Sequence, residues 1–228
     1  MNHTSSISII HSCILPCLAI LALLCACRQT HITPDGQSDK PLTIFPDYTG
    51  VTFPSNIAPP NFRIMEDGDE FYTEIGNSKK IFFTSKTRQS SVNITQNDWS
   101  KLLKETAGET FYIRIFVRQN GKWIQFPDIT NYISESPIDP YLVYRLIYPG
   151  YELWNQMGIY QRDLTSYREI PLIENQSIEK DCLTCHTFCK NSPETMMIHI
   201  RGKVGGTLVY RQGKINRLDV KSPEMKNG

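Results

Sequence analysis

The apolar residues between positions 41 and 133 fall in short runs that are separated by turn-forming residues. Within each run apolar and polar residues alternate, a pattern that predicts β-strands with one buried face. The clearest pair of runs is Phe111–Gln119 and Lys122–Phe126, which flank Asn120 and Gly121. An Asn-Gly pair readily adopts the positive φ angles of a tight turn, so these two runs are predicted to form a β-hairpin.

One predicted helix interrupts the strands. Residues 99–105 carry apolar side chains at helical spacing, and Gly108 follows them as a stop signal. Asn97 or Asp98 is the candidate N-cap of this helix. Short strands at regular spacing around one helix predict a mainly β fold, namely an antiparallel sandwich of immunoglobulin or fibronectin-III type over residues 41–134.

Residues 135–181 break the alternation and are rich in aromatic side chains, which include Tyr141, Tyr144, Tyr148, Tyr151, Trp154 and Tyr160. Aromatic rings dominate burial in cores and interfaces, so we interpret this segment as a junction between two units. The alternative is a ligand platform or the lining of a cofactor pocket. In that case Arg145 or Arg162 would bind carboxylate groups through bidentate hydrogen bonds.

The last segment, residues 182–228, contains three predicted strands at 196–201, 207–210 and 214–220. Gln212 and Gly213 supply a turn between the last two, so the three strands are predicted to form a short antiparallel meander. A sheet of this size has exposed edges.

The N-terminus has the pattern of an export signal. Residues 14–26 are almost wholly apolar but too short to span a bilayer comfortably, which predicts a signal peptide over residues 1–26. Its end resembles the lipobox of bacterial lipoproteins, in which the cysteine after the cleavage site, here Cys27, becomes acylated. Acyl chains at Cys27 would hold the protein stably on a bilayer. The alternatives are an uncleaved N-terminal anchor and a free secreted chain.

Residues 27–40 are mostly polar and contain Pro34-Asp35-Gly36, which predicts a flexible tether between the lipid and the folded part. The predicted location is the cell envelope, lipid-anchored at the periplasmic face or at the outer-membrane surface.

The charge of the chain excludes some function classes. The sequence has 24 Lys and Arg residues against 23 Asp and Glu residues, a formal net charge of +1, so no basic excess attracts nucleic acid. The acids Asp128, Asp139, Asp163 and Glu169 are scattered, and neither a paired spacing nor a Ser or His motif accompanies them. We therefore expect neither an enzyme nor a nucleic-acid partner.

The strongest chemical signal is Cys182-Leu183-Thr184-Cys185-His186. Its Cys-x-x-Cys-His spacing is that of covalent c-type haem attachment. Cys182 and Cys185 would form thioethers with the haem vinyl groups, and His186 would be the proximal iron ligand. Met opposite His raises the reduction potential of such a haem, whereas a second His lowers it.

The candidate distal ligands follow in the next predicted strand. Met196, Met197 and His199 all lie within this strand. Strand alternation puts Met197 and His199 on one face, so these two are the candidates. The competing interpretation is that the methionines are ordinary strand core.

Other chemistry uses the same atoms. Cys182 and Cys185 could form a disulfide, either with each other or with Cys189, which is otherwise left over. Zinc could bind the three thiolates together with His186 or His199. Thiol redox chemistry is the third alternative, but the residues before Cys182 do not have the βαβ pattern in which such pairs usually occur.

Four stretches of the sequence together resemble a family of exported bacterial lipoproteins: IAPPNFRI, IDPYLVYRLIYPGYELWNQMGIYQRDL, DCLTCHTF and HIRGKVGGTLV. Members of this family often continue into a TolB-like β-propeller and are sometimes labelled cytochrome c biosynthesis proteins. The resemblance covers most of residues 45–220 and implies a short member, in which residues 182–228 correspond to the first propeller blade. It supports the architecture more than the function.

Two functions follow from the sequence. The first is a membrane-anchored lipoprotein with a covalent c-type haem, in an electron-transfer or haem-binding role, with a redox protein as its candidate partner. The second is a haem-free binding or scaffold lipoprotein, whose Cys cluster is a disulfide or zinc staple.

Overall fold

The structure, a computed structural model, describes residues 31–147, 149 and 156–219. The elements before the junction are β1 (Gly36–Gln37), β2 (Ile44–Phe45), β3 (Thr52–Phe53), β4 (Phe62–Ile64), β5 (Glu70–Gly76), β6 (Ile81–Thr87), β7 (Ser91–Val92), α1 (Gln96–Glu105), β8 (Thr110–Gln119), β9 (Lys122–Gln125) and β10 (Ile129–Ile133). The later strands are β11 (Tyr141–Ile147), β12 (Met157–Asp163), β13 (Glu169–Glu174), β14 (Cys182–Phe188), β15 (Thr195–Arg201), β16 (Gly206–Arg211) and β17 (Lys214–Leu218). The prediction of a mainly β fold is confirmed.

The first part of the chain forms a seven-stranded sheet and a three-stranded sheet. The long strand β8 pairs with β5 along one edge, while β9 and β10 share its other edge. The outer strand β6 pairs with β5, and the short strands β1 and β3 add parallel pairings to β9 and β10. The small sheet has the order β2-β4-β7.

Alternation along β8 builds the core between these sheets. Ile113, Ile115 and Val117 are fully buried, as the alternating pattern of this strand requires. They pack in one apolar cluster with side chains of the small sheet, such as Ile64, and of α1, such as Trp99. The cluster joins both sheets and the helix around a single core.

Helix α1 confirms the predicted element but not its predicted cap. The N-cap is Thr95, whose hydroxyl oxygen accepts a hydrogen bond from the Asp98 amide at 3.2 Å. The same hydroxyl donates to the Asp98 carboxylate at 2.8 Å. The prediction of Asn97 or Asp98 as the N-cap was therefore wrong. The helix begins earlier, at Gln96, and Asp98 lies in its first turn.

We expect Thr95→Ala to destabilise the protein by about 1 kcal/mol, because the first turn of α1 loses its side-chain acceptor. Chemical denaturation followed by circular dichroism measures this change. Thr95→Ser is the matched control and should retain most of the stability, since serine keeps the hydroxyl. Equal losses for the alanine and serine variants would contradict a capping role.

The predicted hairpin is confirmed. β8 and β9 pair up to Gln119 and Lys122, and the turn residues Asn120 and Gly121 have φ angles of 51° and 79°. The predicted turn at Gln212 and Gly213 joins β16 to β17 in the same way, with φ angles of 49° and 76°.

The described part of the predicted tether does not behave as a free linker. Ile32 is buried beside Tyr72 and Phe116, and β1 runs parallel to β9. The Asp35 carboxylate accepts a hydrogen bond from the Trp123 amide at 2.7 Å. Pro34-Asp35-Gly36 therefore lies along the edge of the seven-stranded sheet. Burial of Ile32 against aromatic side chains stabilises this arrangement.

The predicted signal peptide and the lipidation residue Cys27 lie outside the described residues. Among the residues that the structure describes, no helix combines the length and the apolar character needed to cross a bilayer.

The second part of the chain forms two antiparallel sheets, β11-β12-β13 and β14-β15-β16-β17. The predicted meander is confirmed and has one strand more than expected, because the Cys motif itself forms β14. The predicted junction contributes the three-stranded sheet. It is joined to the first part through hydrogen bonds such as Ala58 N to Leu164 O at 2.8 Å.

Candidate functional site

The Cys-x-x-Cys-His motif lies on strand β14, whose register with β15 decides where its side chains point. Cys182 opposes Arg201, Leu183 opposes Ile200, and His186 opposes Ile198. Opposed residues share a face of the sheet, whereas successive residues along a strand alternate between faces. Leu183 and His186 therefore face the same side as Ile198 and Ile200, while Cys182 faces the other side.

A β-bulge between Leu183 and His186 makes this arrangement possible. The extra residue of a bulge shifts the alternation, so that an odd spacing along the strand can return to the same face. The Thr184 hydroxyl donates to the His199 carbonyl at 2.8 Å across the bulge. The Arg145 guanidinium on β11 donates to the carbonyls of Thr184 at 2.7 Å and Leu183 at 3.2 Å. Arg145 thus fixes the backbone of the motif.

The sequence offers Arg145 and Arg162 as candidates for binding the carboxylates of a cofactor. In the structure the described hydrogen bonds of Arg145 go to the backbone of the motif. Arg162 lies 3.7 Å from the Glu169 carboxylate. No local sequence pattern predicts these hydrogen bonds of Arg145, because Leu183 and Thr184 follow it by 38 and 39 positions in the chain.

The three thiols of the described residues are free. Cys182 is half-buried, and Cys185 and Cys189 are exposed. In a regular strand, residues three apart are about 10 Å from each other. A disulfide needs a Cα separation of about 4.4–6.8 Å, which is shorter than this regular-strand spacing.

The described residues also do not assemble the ligands of the zinc alternative. Within this part of the chain, no group of three or more His, Cys, Asp or Glu side chains is placed to hold a metal ion. Cys182, Cys185 and His186 are neighbours in sequence, but the strand spreads their side chains over two faces.

The candidate distal ligands Met197 and His199 share one face, as their spacing on β15 predicted. Met197 opposes Thr187, and His199 lies opposite the bulge. Both point to the face opposite the one that carries Ile198 and therefore His186. The His199 ring nitrogen Nδ1 is 2.9 Å from the Thr207 hydroxyl. The structure brings Met197 and His199 together with each other, but not with His186.

His186 instead lines a cleft of about 920 Å³ between the two C-terminal sheets. Phe188, Met196 and Tyr210 line it from the side of His186. Ile173, Ile198 and Leu208 also line it, and they pack against the cluster of Met157, Leu183 and Ile200. This size and this apolar lining with one basic ring are typical of small-molecule and cofactor sites.

Exposed apolar side chains surround the mouth of the cleft. Tyr141 is 56% exposed and Ile215 is 69% exposed, and Leu142, Leu172 and Tyr210 are also exposed. A contiguous exposed apolar patch of this kind marks a binding surface more often than an inert one.

A haem fits this site in part. His186 offers an imidazole, which is a common axial ligand of haem iron, and the walls of the cleft are largely apolar. The thiols do not fit in the conformation of β14, because neither the half-buried Cys182 nor the exposed Cys185 lines the cleft. Both thioethers would need residues 182–185 to leave the strand.

Asp181, directly before the motif, is a structural residue that the sequence did not reveal. Its buried carboxylate accepts the amides of Lys203 at 2.9 Å and Val204 at 2.6 Å. A side chain at Gly202, whose φ is 142°, would collide with this carboxylate. The glycine-rich loop between β15 and β16 therefore closes over Asp181 and holds the start of β14.

Comparison with protein-family models, with curated proteins and with solved structures gives no match. The resemblance to propeller-bearing lipoproteins therefore stays a prediction.

Proposed function

We propose that this protein is an exported, membrane-tethered lipoprotein that carries a haem at the cleft facing His186, through Cys182 and Cys185. The observation that carries the proposal is the position of His186, the one imidazole in the lining of an apolar cleft of about 920 Å³. When bound, a haem supplies an iron that can transfer electrons or bind small ligands, depending on its axial ligands and surroundings.

The chain's own residues have distinct roles in this proposal. His186 would hold the iron, and the apolar walls of the cleft would exclude water from it. Arg145 positions His186 indirectly, because its guanidinium holds the carbonyls of Leu183 and Thr184. Cys182 and Cys185 would hold the ring through thioethers, which requires residues 182–185 to turn toward the cleft.

Movement of residues 182–185 toward the cleft would disturb a short part of the sheet. Two opposed pairs, Cys182 with Arg201 and Leu183 with Ile200, lie before the bulge, and the ladder is already interrupted after them. Each backbone hydrogen bond that is lost costs about 0.5–1.5 kcal/mol. Leu183 is the larger obstacle, because its side chain is fully buried.

The remaining parts of the proposal concern the setting of the site. Acyl chains on Cys27 hold the protein in the cell envelope, at the periplasmic face or at the outer-membrane surface. The first part of the chain is proposed to be an immunoglobulin- or fibronectin-III-like sandwich, which the shared core of its two sheets supports. A redox protein is the proposed partner if the haem carries electrons.

Export of the full chain in a host with cytochrome c maturation tests the proposal. A haem stain on a denaturing gel should mark the mature protein, since only covalent haem survives denaturation. A colourless band, with intact protein on the same gel, would refute covalent attachment.

The second candidate is a haem-free binding or scaffold lipoprotein. The observation in its favour is that Cys182 and His186 lie on opposite faces of β14, so the strand does not present both to one ring. For this candidate the cleft binds an apolar ligand without iron, or the Cys cluster is oxidised or zinc-bound in the exported protein. A colourless product with a disulfide or stoichiometric zinc favours it.

A further inference from the structure

The sheet β14-β15-β16-β17 has a second face, which points away from the cleft and carries sulfur and nitrogen donors. We propose that Cys185, Met197 and His199 on this face bind one soft monovalent metal ion, Cu(I). The site belongs to the chain in the conformation described above, before any haem is attached. It therefore does not rest on the proposed function.

The β-bulge of β14 places Cys185 on this face. Leu183 and His186 point to the cleft side of the sheet, as their pairing with β15 requires. Thr184 and Cys185 lie between them, and successive residues of a strand alternate between faces, so both point away from the cleft. The residue of β15 opposite these two is His199, whose carbonyl accepts the Thr184 hydroxyl at 2.8 Å. Opposed side chains on one face have Cβ atoms about 4.5–5.5 Å apart, close enough to share a metal ion.

Met197 supplies the third donor. It lies two residues before His199 on β15, so the two side chains share the face and start about 7 Å apart along the strand. The long, unbranched side chain of methionine can bend over this distance. Met197 is 36% exposed and Cys185 is also exposed, so both sulfur atoms are open to an ion that arrives from solvent.

Thr207 on the neighbouring strand β16 fixes the ring of His199. The two residues are opposed, and the ring nitrogen Nδ1 is 2.9 Å from the Thr207 hydroxyl. Thr207 is only 4% exposed, so its hydroxyl is held in place by the packing around it. When Nδ1 donates its hydrogen to this oxygen, the neutral ring keeps its free electron pair at Nε2. A hydrogen bond at the other ring nitrogen is how metal-binding histidines are usually oriented.

The set of donors determines which metal suits the site. Thiolate and thioether sulfur are soft donors that select Cu(I), and imidazole is also a copper ligand. Structural zinc instead takes four donors from thiolates, imidazoles and carboxylates. No three such groups converge among the described residues, so here the thioether has to complete the set. Binding releases the thiol proton of Cys185 to water, and the thiolate neutralises the charge of Cu(I).

Titration with Cu(I) under reducing conditions, in competition with a coloured Cu(I) chelator, tests the proposal. The protein is the haem-free full chain in detergent, with the four cysteines of residues 1–27 replaced by serine so that they bind no copper. We expect one Cu(I) per chain, with sulfur and nitrogen donors in its X-ray absorption spectrum. Cys185→Ser, Met197→Leu and His199→Gln should each weaken binding at least about tenfold. Thr207→Val should weaken it about tenfold, because the ring loses its hydrogen bond.

Cys189→Ser, Met196→Leu and His186→Gln are the matched controls, because each replaces a nearby residue of the same type that lies outside the site. They should leave the affinity for Cu(I) unchanged, and circular dichroism should show that every variant is folded. Loss of binding in His186→Gln with retention in His199→Gln would move the metal to the Cys-x-x-Cys-His motif and overturn the proposal. Failure to bind Cu(I), or tighter binding of Zn²⁺, would also overturn it. Neither result bears on covalent haem, which the stained gel tests separately.

Discussion

Substituting serine for both Cys182 and Cys185 is expected to abolish covalent haem attachment completely. Serine hydroxyls do not add to vinyl groups as thiols do, so no bond to the ring survives denaturation. Each single substitution leaves one thioether, which retains staining but alters the absorption of the denatured haem. Haem staining of equal amounts of exported protein measures the effect.

Cys189→Ser is the matched control for these substitutions. Cys189 is also a described thiol and is exposed just after β14, but it lies outside the motif. This variant should stain as strongly as the parent protein. If Cys189→Ser lost the haem while the double variant kept it, the assignment of the attachment residues would be wrong.

Leu183→Ala is expected to destabilise the C-terminal sheets by about 2–5 kcal/mol, as large-to-small substitutions in cores do. Leu183 is 0% exposed and packs with Met157 and Ile200 in the apolar cluster of the C-terminal sheets. Removing it leaves a cavity beneath the motif and loosens β14. Hydrogen exchange of the amides in β14 and β15, combined with chemical denaturation, measures this effect separately from the first core.

Leu218→Ala provides the comparison. Leu218 lies on β17 of the same sheet but is 44% exposed, so its truncation should change stability by no more than about 0.5 kcal/mol. Similar effects of the two substitutions would contradict the packing described for Leu183.

The elements of the first part could largely be predicted from the sequence because their signals are local. β8 carries Phe111, Ile113, Ile115 and Val117 at every second position, and Asn120 with Gly121 fits only a few turn types. Helix α1 was predicted from its spacing, although its cap at Thr95 was missed. Cap positions depend on one or two residues and are the least certain part of such predictions.

The candidate site could not be predicted to the same extent. It depends on how strand β14 pairs with β15, and this register is set by contacts between residues that are distant in sequence. The spacing from Cys182 to His186 suggested one ligand set, yet the bulge after Leu183 divides these residues between two faces. Met197 and His199 were correctly placed on one face of a strand. Which face that is depends on pairing with β14 and on packing against β13, and no local pattern encodes either.

The packing of residues 31–38 against the first sheet also could not be predicted from local sequence. Their polar composition predicts a linker, but Ile32 finds an apolar contact with Phe116, far away in the sequence. One buried aliphatic side chain contributes about 1.5–3 kcal/mol, which offsets part of the entropy lost by ordering a few residues.

The mass of one tryptic peptide tests the central claim most directly. Cleavage after Lys180 and Lys190 releases residues 181–190, which contain Cys182, Cys185, His186 and Cys189. For protein exported with the cytochrome c maturation machinery, we predict this peptide with one haem added and with Cys189 still open to alkylation. A peptide without haem, whether its thiols are free or joined in a disulfide, would contradict the account.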